Sequence, residues 1–215
     1  MKNLFVPFIE QFTVNDDIEK VQMLLNALPK NQINNQLWSK FKNNLNTNFN
    51  IGHINDAILL TYEVNDDTIM VNTFETNGAV HKDNCVEFFV SFGEEKSYYN
   101  IEINCVGVCL IAYGEGRLNR NFIAKQLVEK IRTYVTIKKF PEKSKVKYIW
   151  QITLIIPIEV FVHSNLKTFK QVTGLGNFFK CGDNLPQPHF YSWNMIESKT
   201  PDFHLPEFFG SLVFG

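Results

Sequence analysis

The stretch at residues 98–105, YYNIEINC, alternates between two kinds of side chain. Successive side chains of a β-strand point to opposite faces of a sheet, so this alternation predicts a strand with one buried face. The apolar side of the predicted strand consists of Tyr99, Ile101, Ile103 and Cys105. The polar side consists of Asn100, Glu102 and Asn104. A row of amides and a carboxylate exceeds what solubility requires, and it suits a ligand rich in hydroxyl groups.

Strand patterns extend from this stretch in both directions along the chain. Gly107 divides residues 98–113 into two predicted strands. Further runs of strand-forming residues, separated by turn-forming ones, lie at 57–64, 68–74, 85–92, 133–140, 147–156 and 209–214. About eight to ten short strands with almost no long helix are typical of a β-sandwich or jelly roll, so the predicted fold class is all-β.

The N-terminal part of the sequence follows a different pattern. Residues 18–28 place apolar side chains at helical spacing after Asp16 and Asp17, and Pro29 ends the pattern. Residues 30–50 are rich in Asn and Lys and show no clear period, so we interpret them as connecting structure. The prediction is a single domain, with a preamble of one short strand and a short helix over 1–50 and a sandwich over 51–215.

Charge and composition exclude several classes of function. Lys and Arg number 21 against 22 Asp and Glu, a formal net charge of −1. This balance gives no electrostatic case for a nucleic-acid partner or an anionic membrane. No stretch reaches the ~18 apolar residues of a membrane helix. The N-terminus lacks the apolar core and cleavage site of a signal peptide, so the sequence as written predicts a cytoplasmic location.

Two side chains outside the first stretch are candidates for ligand contacts. Glu87 lies among apolar residues, where a carboxylate needs a partner such as Arg117 or a sugar hydroxyl. A structural ion pair would explain the same carboxylate equally well. Trp193 lies among turn-forming residues, where an indole is suited to stack on the apolar face of a sugar ring.

Several segments, taken in order, resemble the carbohydrate-binding modules of family 9, in particular a stand-alone branch found in gut-type bacteria. The matching segments are DNCVEFF at 83–89, YYNIEINCVG at 98–107, NFFKCGD at 177–183, PHFYSW at 188–193 and DFHLPEFFG at 202–210. They extend over the chain from about residue 50 onward, and several motifs in order are more specific than any single one.

The resemblance implies a jelly-roll sandwich that binds sugar ends between two aromatic rings. Trp193 matches the second ring, whereas the place of the first ring holds Phe74 or His81 instead of an obvious tryptophan. Glu87 matches a polar contact of the family, and the region that supplies the other contacts contains Asn100, Glu102 and Asn104. Further charged candidates in neighbouring segments are Lys180 and Arg117. The family is often exported, in contrast to the location that the N-terminus predicts.

No cofactor is expected, and calcium is a minor expectation because it accompanies some family members structurally. The oxygens here would come from Asp83, Asp183 and Asp202, but no loop has the spacing of a calcium site. The four cysteines are Cys85, Cys105, Cys109 and Cys181. They form neither a CxxC pair nor a zinc-site spacing, so we expect buried free thiols.

The sequence therefore predicts a non-catalytic module that binds a mono- or oligosaccharide. No signature of an esterase, a metalloprotease or a nucleotide-binding site occurs in it. Two alternatives stay open. Loss of the first clamp tryptophan would suit a degenerate module used for protein contacts. A glycoside hydrolase would need two carboxyl groups across a bond, and Glu87 and Glu102 on neighbouring strands would meet that spacing.

Overall fold

The computed structural model describes residues 1–38, 45–142 and 145–215. Two α-helices occur in these ranges, α1 (Ile18–Ala27) and α2 (Lys125–Val128). Fourteen strands occur in the same ranges: β1 (Asn3–Val6), β2 (Asn31–Gln32), β3 (Asn35–Leu37), β4 (Asn46–His53), β5 (Ala57–Asp66), β6 (Cys85–Phe92), β7 (Tyr98–Asn104), β8 (Cys109–Gly114), β9 (Asn121–Phe122), β10 (Arg132–Glu142), β11 (Lys145–Pro157), β12 (Thr173–Gly182), β13 (His189–Ser192) and β14 (Gly210–Phe214).

The strands form two sheets. The larger sheet has the order β1-β14-β12-β6-β7-β8-β9, with β13 pairing to β12 and β3 pairing to β13. The smaller sheet has the order β10-β11-β5-β4-β2. The predicted all-β sandwich is thereby confirmed. Neither helix is long and apolar enough to span a lipid bilayer.

The main core lies between the two sheets and is rich in aromatic rings. Phe49 of the smaller sheet stacks on Phe178 of the larger one at a centroid distance of 3.7 Å. Phe178 in turn stacks on Phe88 at 4.6 Å. The Tyr62 hydroxyl donates a hydrogen bond to the Glu87 carbonyl across the gap (2.9 Å). This packing turns the alternate side chains of β6, β7 and β12 outward, away from the smaller sheet.

Each sheet is also covered on its outer face. Helix α1 packs on the smaller sheet through Val21 and Leu25, in a cluster with Leu59 and Ile155. Its N-terminus is capped by the Asp17 carboxylate, which accepts a bond from the Glu19 amide (3.0 Å). The predicted helix is confirmed. The outer face of the larger sheet carries a separate apolar cluster and a group of buried polar side chains, described below.

Residues 30–50 were interpreted from sequence as connecting structure. The described part of this range contributes to three strands, and β4 is a full member of the smaller sheet. Phe49 and Ile51 of β4 face the core. Asn50 is buried on the opposite side, where its amide donates to the Leu28 carbonyl (2.8 Å). Sequence patterning misses β4 because asparagine is depleted in strands. In β4, Asn50 is retained as a hydrogen-bond donor to the residue that caps the C-terminus of α1.

Residues 68–74, predicted as a strand, form an extended segment without a strand partner in the described chain. Its backbone amides are bound by side chains instead. Asp83 accepts from the amides of Asn72 (2.9 Å) and Thr73 (3.1 Å), and Asn84 accepts from that of Met70 (2.7 Å). The predicted hairpin of β10 and β11 is confirmed, although its turn at residues 143–144 lies outside the described residues.

A candidate sugar-binding pocket on the larger sheet

A pocket of about 450 Å³ opens on the outer face of the larger sheet. Its floor is formed by outward-facing residues of four adjacent strands: Cys181 of β12, Glu87 of β6, Asn100 and Glu102 of β7, and Leu110 and Ala112 of β8. The sheet holds these side chains at fixed spacing because Glu87 and Glu102 are directly paired, as are Glu102 and Leu110. The volume lies within the range of about 300–1,000 Å³ that is typical of small-molecule sites.

Loops and short strands build the walls. The loop between β8 and β9 contributes Arg117 to Arg120, and the loop before β14 contributes Pro201 to His204. Phe122 of β9 lies at one side with 62% of its surface exposed. Trp38, which follows β3, lies at the other side with Phe190 and Phe203. The Trp38 indole donates to the Ser198 carbonyl (2.7 Å), which fixes its ring.

Arg120 joins the floor to the wall. Its guanidinium donates to the Asn100 side-chain oxygen (2.8 Å) and to the carbonyl oxygens of Gly114, Gly116, Tyr98 and Ala112 at 2.7–3.2 Å. The same group lies over the Tyr98 ring at 4.3 Å. Because every nitrogen of Arg120 already has a protein acceptor, this residue positions Asn100 and the β8–β9 loop.

Glu102 is the carboxylate at the centre of the floor. Its Oε1 accepts a hydrogen bond from the Asn100 amide (2.8 Å). Its Oε2 is buried and has no well-oriented hydrogen bond within the described chain. Nδ1 of His81 lies 3.4 Å from Oε2, and interaction with this carboxylate raises the pKa of His81. One buried oxygen of Glu102 is therefore available to a donor from a ligand.

Glu87 is the second carboxyl group of the floor. Burial, the Cys181 thiol and the Glu102 carboxylate raise the pKa of Glu87 well above its ordinary value. The Cys181 thiol donates to Glu87 Oε1 (3.0 Å). Each of these interactions disfavours the charged form of Glu87. Within the described residues Glu87 forms no ion pair with Arg117, the partner considered from the sequence.

His204 is a neutral histidine in the pocket wall. Burial and the nearby Arg120 and Arg117 lower its pKa to about 3, and its Nδ1 is hydrogen-bonded to the Tyr98 hydroxyl (2.9 Å). Between about pH 6.5 and pH 3 the unfolded chain therefore binds a proton at this residue that the folded chain does not bind.

We expect the free energy of unfolding to be fully maintained above about pH 6.5 and to fall as the pH is lowered from there toward 3. His204→Gln should reduce this slope without abolishing it, because burial also lowers the pKa of His189 to about 3. His163→Gln, at an exposed histidine outside the pocket, should leave the slope unchanged. Urea unfolding at several pH values measures the free energy of unfolding of the wild type and of each variant. An equal slope in wild type and His204→Gln would show that His204 is not the group that titrates.

The structure brings together five of the residues predicted from the sequence: Glu87, Glu102, Asn100, His81 and Arg117 line the pocket. Trp193 is not among them. It is only 3% exposed and packs edge-on against Phe178 and Phe49, at centroid distances of 5.6 and 6.1 Å in the main core. The prediction of Trp193 as a stacking surface is wrong, because a buried indole presents no face to a sugar.

Three more predicted residues lie outside the pocket. Lys180 points between the sheets, where its ammonium lies 3.4 Å from the Asp66 carboxylate and 2.8 Å from Nε2 of His189. Asn104 is on the outer face, but its amide donates to the Thr73 carbonyl and the Asp83 carboxylate. Phe74 is exposed on the segment before β6 and does not line the pocket. Lys180 and Asn104 thus have structural roles.

Several pocket residues were missed by the sequence analysis as ligand contacts: Trp38, Arg120, Phe122, Phe190 and Phe203. Trp38 has a positive φ of 43°, an unusual backbone conformation for a large residue. No periodic pattern marks it, since it follows a strand of only three residues. The only sign in the sequence that these residues line a pocket was the aromatic content of the loops. That content does not distinguish residues of a pocket wall from residues of the core.

One protein-family profile matches most of the chain. The sequence profile described as "Carbohydrate-binding family 9" matches residues 17–214. A crystal structure from Bacteroides uniformis, described as a carbohydrate-binding protein, is 31% identical, with a TM-score of 0.90 over 100% of this chain and 99% of that one. No curated protein matches the chain.

Two more distant structures share the fold. Both are of a family 9 carbohydrate-binding module from Caldicellulosiruptor kristjanssonii. The complex with glucose is 12% identical, with a TM-score of 0.63 over 100% of this chain and 96% of that one. The complex with cellotriose is 11% identical, with a TM-score of 0.53 over 99% of this chain and 93% of that one.

Proposed function

The chain belongs to carbohydrate-binding family 9, and we propose that it binds a mono- or short oligosaccharide in the pocket over Glu102 without cleaving it. The observation that carries this proposal is the buried Oε2 of Glu102. It lines the pocket and has no well-oriented hydrogen bond to the described residues. His81 contacts this oxygen at 3.4 Å, which leaves room for a second and better-aligned donor. A sugar hydroxyl supplies such a hydrogen bond to a buried carboxylate oxygen.

The surrounding groups support recognition of a polyhydroxylated ring. Asn100 is held by Arg120, so the amide and the Glu102 carboxylate keep fixed positions on the floor. Fixed polar groups lower the entropic cost of binding. The exposed ring of Phe122 and the half-buried ring of Trp38 flank this polar floor. Aromatic faces pack against the apolar C–H groups of a sugar while polar groups bind its hydroxyls.

The proposed ligand class is a glucose-type sugar. The two family 9 structures from Caldicellulosiruptor kristjanssonii are complexes with glucose and with cellotriose. The pocket of this chain has the volume for a small ligand and is open to solvent on the outer face of the sheet. A binding site that is open on one side admits the end of a longer chain as well as a free monosaccharide.

The arrangement of Glu87 and Glu102 favours binding over hydrolysis. A glycoside hydrolase places two carboxyl groups on either side of the scissile bond. Here the two residues are direct partners on adjacent strands, so both carboxyl groups belong to the same floor. Glu87 also shares its Oε1 with the Cys181 thiol. Because the Cys181 thiol engages Glu87, this carboxyl group is not free to act as a second catalytic group with Glu102, which supports a non-catalytic module.

Isothermal calorimetry with glucose, cellobiose and cellotriose tests the proposal. We expect saturable heat for at least one sugar and no release of shorter products when the mixture is analysed by chromatography. Release of glucose from cellotriose would contradict a non-catalytic role. No heat with any of the three sugars would contradict the proposed sugar class and favour a module that contacts protein.

Phe122→Ala is expected to weaken sugar binding about 3- to 10-fold, since an aromatic contact contributes about 0.5–1.5 kcal/mol beyond its area. The ring is 62% exposed, so the free energy of unfolding should hardly change. Phe5→Ala is the matched control because Phe5 is 63% exposed and does not line the pocket. Equal affinities for the two variants, measured by calorimetry, would remove Phe122 from the site.

A further inference from the structure

Two cysteines and one glutamate come together under the pocket floor. Cys85 and Cys181 are directly paired across β6 and β12, and Glu87 is two residues from Cys85 on the same face. The two sulfur atoms and a Glu87 carboxyl oxygen all lie within 4.8 Å of one another. All three residues are buried.

Both thiols of this cluster donate hydrogen bonds through protons that a metal cation can replace. The Cys181 thiol donates to Glu87 Oε1 at 3.0 Å, and the Cys85 thiol donates to the Val86 carbonyl at 3.5 Å. Each of the three groups carries one acidic proton when neutral. A divalent cation that binds all three releases three protons to solvent and leaves a site with a net charge of −1, as in zinc sites with three thiolates and one histidine.

The other two cysteines are arranged differently. Cys105 and Cys109 are also buried and unbridged, but they belong to the core between the sheets. Within the described residues neither of them belongs to a cluster of three potential metal ligands like that of Cys85, Glu87 and Cys181. Cys105 and Cys109, in the core between the sheets, therefore serve as an internal control for Cys85 and Cys181, which lie beside the Glu87 carboxyl group.

The ligand set selects the kind of cation. Thiolates prefer soft or borderline ions such as zinc, whereas calcium and magnesium prefer oxygen ligands. Zinc binds sulfur at about 2.3 Å and carboxylate oxygen at about 2.0–2.2 Å, so ligand atoms of one tetrahedral site lie roughly 3.5–4 Å apart. Ligand atoms within 4.8 Å of one another need only a small side-chain adjustment to reach that geometry.

We propose that Cys85, Cys181 and Glu87 form a three-ligand site for one divalent cation of the zinc class, with the fourth position open to the pocket. Glu87 and Cys181 line the pocket, so an ion has a path from solvent to the cluster. Glu102, paired with Glu87 on the next strand, has a buried oxygen without a well-oriented partner that suits a water bound in the fourth position. This inference goes beyond sugar binding and does not depend on it.

Cobalt substitution tests the site directly. The full chain is reduced and stripped of metal, and Co²⁺ is added without any sugar. We expect one Co²⁺ per chain, with a thiolate-to-cobalt charge-transfer band and the intense visible absorption of a tetrahedral ion. Added Zn²⁺ should displace Co²⁺ and abolish both signals. Cys105→Ser/Cys109→Ser should give the same spectrum as wild type, and Cys85→Ser/Cys181→Ser should give none.

Two results would overturn the proposal. The first is the absence of a charge-transfer band in the reduced wild-type chain at a several-fold excess of Co²⁺, a readout that needs no variant to fold. The second is an equal signal from Cys85→Ser/Cys181→Ser, shown to be folded by circular dichroism. Sugar titration of the metal-free chain is independent of both, so failure of the metal site and failure of sugar binding are distinguishable.

Discussion

Glu102→Gln is expected to weaken sugar binding roughly 10- to 100-fold. A hydrogen bond to a charged group contributes about 1.5–3 kcal/mol, and each 1.4 kcal/mol changes the dissociation constant about tenfold. Glutamine keeps the size of the side chain and an oxygen that accepts from the Asn100 amide, as Oε1 does now. It replaces the other oxygen, which would accept from the sugar, by an amide donor. Calorimetric titration with the best-binding sugar measures the change.

Glu159→Gln is the matched control for Glu102→Gln. Glu159 forms a surface ion pair with Lys130 at 2.9 Å and does not line the pocket. Exposed ion pairs contribute about 0–1 kcal/mol to stability, so this variant should bind sugar as wild type does. If Glu102→Gln also bound sugar within twofold of wild type, the carboxylate would not be the acceptor and the proposed floor would be wrong.

Trp193→Ala is expected to lower the free energy of unfolding by about 3–5 kcal/mol, the range for truncation of a large core aromatic. The indole packs edge-on against the stacked rings of Phe49 and Phe178, so its removal leaves a cavity in the core between the sheets. Equilibrium unfolding in urea measures the loss. A loss below about 1 kcal/mol would contradict the core position of this side chain.

The three tryptophans also report on where the sugar binds. Trp150 and Trp193 are buried in the core, and Trp38 lines the pocket. A fluorescence change on addition of sugar should therefore persist in Trp193→Phe and disappear in Trp38→Phe. A change that disappears only in Trp193→Phe would restore the stacking role that the resemblance implied for Trp193.

The fold was largely predictable from the sequence, and the reason lies in its strands. Alternation in β7 separates Ile101 and Ile103, which face the core, from Asn100 and Glu102, which face the pocket. The alternation fixes the face of each side chain because the period of a strand is two. β4 escaped detection because its outward positions hold asparagine. Residues 68–74 were wrongly predicted as a strand, because their backbone amides bind the side chains of Asp83 and Asn84 instead of a neighbouring strand.

Of the pocket residues, mainly those of the floor could be predicted from the sequence. Glu87, Asn100 and Glu102 follow from strand patterning, but the walls come from loops that approach the sheet from distant parts of the sequence. Trp38 and Phe203 are 165 positions apart in the chain and pack at a centroid distance of 5.8 Å. Loop conformation depends on such long-range contacts, which leave no period in the sequence. The prediction that Lys180 contacts the ligand failed for a different reason. On β12 its side chain lies on the face that points toward the smaller sheet, where it pairs with Asp66.

The central claim is that a sugar binds on the outer face of the larger sheet, over Glu102. A crystal structure of the full chain soaked with the sugar that gives the largest calorimetric signal tests it most directly. The predicted result is a sugar ring in the pocket with a hydroxyl within hydrogen-bond distance of Glu102 Oε2. A sugar bound elsewhere, for example in the second pocket between Asp66 and His189, with the Glu102 pocket free of sugar, would contradict it.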